Sequence, residues 1–133
     1  MKDSIQNGDH LYQLMDMTIE EARPDYARVS MPLSLPIVNG MGVAHGGALF
    51  TLADIAFGAA SNCEEETGTV TLSTSIQFLA PGRKGPFTAE ARLVRGGRRI
   101  VTYDVDVRDA DGTLLVHAVT QGMKTDRPFK VVK

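Results

Sequence analysis

Two features of this chain are of types that could do chemistry together. His45-Gly46-Gly47 opens a stretch that the apolar period reads as about four turns of helix over residues 45–62. Within it one carboxylate, Asp54, stands among alanines, leucines, isoleucine and phenylalanine. A helix that begins on two glycines presents unshielded amide hydrogens at its positive dipole end, a setting that suits a carbonyl oxygen or an anion. A carboxylate without partners is costly to bury, so Asp54 needs a wet cleft or a task. It lies eight residues beyond Gly46, about 12 Å along one helix. Groups acting on one carbon stand about 3 Å from it. If both act, the acid therefore comes from a second copy of the chain.

Gly47, Thr51, Asp54, Gly58 and Ser61 recur at intervals of four, three, four and three residues, forming one stripe of small or polar side chains. Such a stripe admits a second backbone or a thin ligand, and it is compatible with two helices lying side by side in a two-fold dimer. It equally fits a helix-to-strand packing seam in which Asp54 bonds a serine or a backbone amide.

The bulk composition narrows the classes open to the chain. At 133 residues it is read as one domain, 1–133. With 43% apolar residues, 23% charged residues and a net charge of −2, it is globular and lacks the basic excess that a nucleic acid partner would require. The amino terminus has no apolar leader segment, and no run approaches the roughly 18 apolar residues of a membrane span. A cytoplasmic location without a membrane partner is the expectation. One cysteine, Cys63, and three scattered histidines make neither a disulfide framework nor a zinc spacing, so no metal is expected.

The elements that must position these residues follow from periodicity. Residues 1–14 form a polar lead ending in one helical turn at Leu11-Tyr12-Gln13-Leu14. Met15, Met17 and Ile19 alternate with polar residues as a strand, Arg23-Pro24-Asp25 turns the chain, and Ala27, Val29 and Met31 mark the returning strand. Pro32 and Pro36 end that pairing and leave residues 33–44 irregular. Past the helix, Glu64-Glu65-Glu66-Thr67-Gly68 makes a charged exit. Val70, Leu72, Ile76 and Phe78 then face one way, and Thr71, Ser73, Ser75 and Gln77 the other. Ala89, Ala91 and Leu93 define the next strand, and Gly96-Gly97 reads as a tight turn with positive backbone angles. Val101, Tyr103, Val105 and Val107 give another strand, Asp111-Gly112 a second turn, and residues 114–124 the last strand before a frayed tail, 125–133. The class is α+β: a curved antiparallel sheet of five to six strands around one long helix. The four later strands are expected as a meander extended by the first hairpin.

Asn39-Gly40-Met41-Gly42-Val43-Ala44-His45-Gly46-Gly47, followed by Leu52-Ala53-Asp54, resembles the signature of hotdog-fold acyl-CoA thioesterases, in particular the PaaI-like branch of phenylacetate catabolism. The strand order and Phe78-Leu79-Ala80-Pro81-Gly82 extend the resemblance over nearly the whole chain. It implies dimers joined sheet edge to sheet edge, often paired again into homotetramers, with cleavage between subunits. It further implies that the Gly46 amide polarises the thioester carbonyl and that Asp54 of the other subunit acts as nucleophile or as base toward water. Asn39 would position the water or thioester, and His45 would shape the helix entrance. Thr71 matches a hydroxyl that assists the acid, although periodicity sets it on the polar strand face.

Thioester hydrolysis builds negative charge on the carbonyl oxygen, where one preorganised donor is worth roughly 3–4 kcal/mol. Thiolate leaves without much acid help, so no cofactor is called for; coenzyme A is part of the acyl-CoA substrate. Its phosphates would meet Arg83 and Lys84, with Gly97, Arg98 and Arg99 at the glycine turn, which are otherwise solvated loop charges. Met41, Leu49, Phe57 and Phe78 are candidates for the acyl pocket. Two other functions stay open: a dehydratase or hydratase using a histidine and a carboxylate on a 3-hydroxyacyl or enoyl thioester, and a non-catalytic acyl-CoA binding module.

Overall fold

The structure, a computed structural model, describes residues 2–63 and 67–128. Two short helices, α1 (Lys2–Gly8) and α2 (His10–Leu14), precede a hairpin of β1 (Thr18–Arg23) and β2 (Tyr26–Met31). A single 3-10 turn, Leu35–Ile37, leads to the long helix α3 (Gly46–Ser61). Four strands follow: β3 (Thr67–Phe78), β4 (Phe87–Gly96), β5 (Ile100–Arg108) and β6 (Leu114–Pro128). All six strands join one antiparallel sheet in the order β1-β2-β4-β5-β6-β3, and α3 touches every one of them.

The rod at the centre is held by its oily surface. Ala48, Leu49, Leu52, Ala53, Ile55, Ala56, Phe57, Ala59 and Ala60 are buried, and each large side chain among them contributes about 1.5–3 kcal/mol. They pack chiefly on β2 and β4, where small inward residues, Ala27, Ala89 and Ala91, let the helix come close. Gly47, Thr51, Asp54, Gly58 and Ser61 remain half-buried or exposed. The stripe is only partly covered: it faces β3, which Asp54 meets through the Thr71 hydroxyl. The packing-seam reading therefore holds in part, with a threonine in place of the serine or backbone amide, and a cavity opens beside the contact.

Several expectations are corrected. Met15 caps α2 and β1 starts at Thr18, although Met15, Met17 and Ile19 are all buried as their alternation required. The four later strands are no continuous meander. β4, β5 and β6 follow one another, but β3 lies outside β6 while β4 lies beside β2. The link 79–86 is longer than the two to five residues of a usual hairpin loop, and it crosses the end of the sheet instead of closing on its neighbour.

Neither Gly96 nor Gly97 has a positive φ; among the described glycines that belongs to Gly42 and Gly112. Gly97 is needed for space, since a Cβ there would stand 2.6 Å from the Ile100 carbonyl oxygen. The expected frayed tail is strand as far as Pro128, which pairs with Thr67, and Thr125 donates to the Gly68 carbonyl at 2.6 Å. Glu64, Glu65 and Glu66 of the charged exit, and residues 129–133, lie outside the described residues.

The largest correction concerns β3. Its upstream half pairs as Thr71↔Gly122 and its downstream half as Ser73↔Gln121, with Leu72 the extra residue of a bulge. Facing partners share a side of the sheet, so Thr71, Thr74 and Ile76 point toward the helix, whereas Val70 and Leu72 are exposed. The uninterrupted alternation expected for Val70, Leu72, Ile76 and Phe78 breaks at the bulge.

Candidate active site

His45 is the N-cap of α3. Its Nδ1 accepts the Gly47 amide hydrogen at 3.2 Å, while its own amide donates to the Ile37 carbonyl at 2.6 Å. The ring therefore accepts from the backbone rather than donating to a carbonyl, and the Gly47 amide is occupied. The Gly46 N–H, at the first helical position, has no hydrogen-bond partner among the described residues. It opens into a cavity of about 360 Å³ whose walls include Met41, Leu49, Phe78 and Leu79. An apolar pocket with one unshielded donor is what an acyl carbonyl requires.

Asn39 builds the loop that leads there. Its Oδ1 accepts from the amides of Met41 (2.9 Å) and Val43 (3.3 Å), so any contact it makes with substrate goes through its Nδ2.

Asp54 is half-buried and accepts the Thr71 hydroxyl on Oδ1 at 2.9 Å. The bulge thus turns Thr71 toward the helix, opposite to the face that simple alternation gave it. A second cavity of about 360 Å³ adjoins the pair, lined also by Ile5, Asp9, Phe57 and Gly58. Asp54 and Gly46 line different cavities of one chain, in keeping with their separation along the helix. Sequence reasoning missed the roof that α1 and α2 supply through Ile5 and Asp9. It also missed Asn62, 1% exposed, whose carboxamide accepts from the Thr69 amide at 2.5 Å and donates to the Thr69 carbonyl at 3.3 Å. Asn62→Ala strands both Thr69 groups and should cost about 2–4 kcal/mol, read as a lower urea midpoint at unchanged slope.

The basic residues do not form one cluster. Arg83 and Lys84 precede β4, whereas Arg98 and Arg99 follow it, and its ten residues span about 30 Å. Lys84 also bonds Asp111 at 2.7 Å, which holds its ammonium above the usual value. His117 contacts Asp106 Oδ1 at 2.7 Å, on the sheet face away from α3. No histidine lines the Asp54 cavity. Among the described residues there is no group of three potential metal ligands, and no helix long and apolar enough to cross a membrane.

A helix wrapped by one antiparallel sheet, with a free amide at its start and an acid on its open stripe, defines a hotdog thioester hydrolase. Residues 41–116, which include Gly46, Asp54 and Thr71, match the thioesterase superfamily, and the chain belongs to that family. The acyl-coenzyme A thioesterase PaaI of Escherichia coli is 36% identical over 83 residues, 62% of this chain and 59% of that one. The solved structure of E. coli PaaI, from the phenylacetic acid degradation operon, superposes with a TM-score of 0.86 at 25% identity, covering 97% of this chain and 98% of its own. A hypothetical thioesterase of Streptococcus pneumoniae solved with coenzyme A gives 0.83 at 28% identity, covering 97% and 99%.

Proposed function

We propose that this thioester hydrolase acts on acyl-CoA bearing a small aryl or medium-chain acyl group, at sites shared between two subunits. The observation that carries this reading is that the free Gly46 amide and the Asp54–Thr71 pair open into separate cavities at opposite ends of β3, the outermost strand. Phe78 borders the first cavity, and Val70 and Thr71 border the second. Antiparallel pairing of two β3 edges about a two-fold near Ser73 would lay one copy's Phe78 end along the other's Thr71 end, joining the two cavities.

In the joined site, the Gly46 amide polarises the carbonyl and Asp54 of the partner subunit attacks it or activates water. Thr71 holds that carboxylate, Asn39 presents Nδ2, and His45 fixes the helix entrance. Met41, Leu49 and Phe78 from one subunit, with Phe57 from the other, surround the acyl group. The same pairing brings Arg98 and Arg99 of the partner subunit to the end that carries Arg83 and Lys84, where the coenzyme A phosphates would lie. Thiolate departs unaided, so no cofactor takes part. Two such dimers would pair again into a tetramer.

Release of free thiol from a panel of acyl-CoA esters, phenylacetyl-CoA among them, tests this reading. Turnover is expected for aryl or medium-chain esters. Addition of water to enoyl-CoA without thiol release, or binding without turnover, would reject it.

A further inference from the structure

We propose that Gly122 is a positioning residue for the hydrolytic acid: its missing side chain makes room for the Phe57 ring, and that packing sets the β3 bulge that turns the Thr71 hydroxyl onto Asp54. This rests on the reading of Asp54 as the acid.

The register carries the argument. From Ser73 onward the pairs run Ser73↔Gln121, Thr74↔Thr120, Ser75↔Val119 and Ile76↔Ala118. Continued upstream without interruption, that register would set Leu72 opposite Gly122, facing the helix, and Thr71 opposite Met123, facing out. The chain does the reverse. Leu72 is 51% exposed, and Thr71 pairs with Gly122 and reaches Asp54.

The space that an inward Leu72 would need is already filled. A Cβ on Gly122 would stand 2.5 Å from Phe57 Cζ, 3.0 Å from Thr69 Cγ2 and 3.0 Å from the Val70 carbonyl oxygen. Phe57 is 1% exposed and meets Tyr103 edge to face, with centroids 5.3 Å apart. The Tyr103 hydroxyl in turn donates to Asp25 at 2.7 Å, which fixes the wall on that side of the Phe57 ring. On the other side Asn62 clamps the Thr69 backbone. Ring and clamp together fix the inward phase at Thr69 and Thr71, and the extra residue is expelled as the bulge. Phe57 also stands one turn beyond Asp54 and lines the same cavity. A methyl group on Gly122 presses on the ring and on the Val70 carbonyl, next to Thr71, and so draws the hydroxyl away from the acid.

The test is a kinetic cycle of wild type, Gly122→Ala, Thr71→Val and the double variant, each checked for folding by circular dichroism. Each single change should lower kcat about tenfold with KM within about twofold, and the double should be within about twofold of Thr71→Val. A Gly122→Ala enzyme with wild-type kcat, or losses that multiply in the double, overturns the proposal. Should Gly122→Ala not fold, the same change is made with Phe57→Leu, which removes the obstructing ring atoms. Measured against Phe57→Leu alone, whose own kcat is the baseline, Gly122→Ala should there cost less than about twofold, and a further loss of about tenfold overturns the proposal. Asp54→Asn is measured alongside. If that variant keeps full activity, the acid assignment fails, and a crystal structure of Gly122→Ala judges the geometry alone. Thr71 withdrawn from Asp54 supports the positioning role; an unchanged hydrogen bond ends it.

Discussion

Asp54→Ala should lower kcat for thioester hydrolysis by at least about a hundredfold, with little change in KM or thermal midpoint. The carboxylate is half-buried and its partner is one hydroxyl. Removing it empties a place beside an existing cavity and leaves no buried charge unpaired, so the fold should survive. In the proposed mechanism the loss then falls on the chemical step, where the carboxylate would supply or activate the nucleophile. Steady-state kinetics with circular dichroism separate the two effects, and a variant keeping a tenth of wild-type kcat would show that Asp54 is not the acid.

Gly46→Pro should be nearly as damaging, for a different reason. Proline fits the first position of a helix and removes only a hydrogen that no helical carbonyl accepts. His45 already has φ −62° and ψ 135°, the extended conformation that a following proline demands. A Cβ on Gly46 would meet the Phe78 ring no closer than 3.4 Å. The substitution therefore deletes the proposed oxyanion donor with little strain, and about a 10²–10³-fold loss in kcat is expected. Combining it with Asp54→Asn tests the shared site directly. Each variant alone lacks one half. In a heterodimer of the two, one interface unites an intact Gly46 with an intact Asp54. Random mixing should then recover up to about a quarter of wild-type activity, since half the dimers are mixed and one of their two sites is whole. Sites contained in one subunit would recover nothing.

The central helix was legible because the apolar residues around it leave one gap, and that gap is the small-residue stripe that lies beside β3 and a cavity. The glycine entrance was legible as well, since His45-Gly46-Gly47 marks a helix start and an exposed donor by residue type alone. Thr71 was not. Val70, Leu72, Ile76 and Phe78 keep a two-residue period across a point where the chain slips phase, and hydrophobic alternation carries no mark of the slip. The basic residues misled in a similar way. Arg83, Lys84, Arg98 and Arg99 are close in sequence, yet an intervening strand carries them to opposite ends of the sheet.

From the sequence alone came the rod, its open stripe with Asp54, the unshielded Gly46 amide and the family. Each of these is a property of one element, written in the spacing of neighbouring residues. Strand order and the direction of Thr71 were decided by tertiary structure. They rest on the pairing of β3 with β6 and on the crossing of residues 79–86, relations between positions far apart in the chain that no local period records.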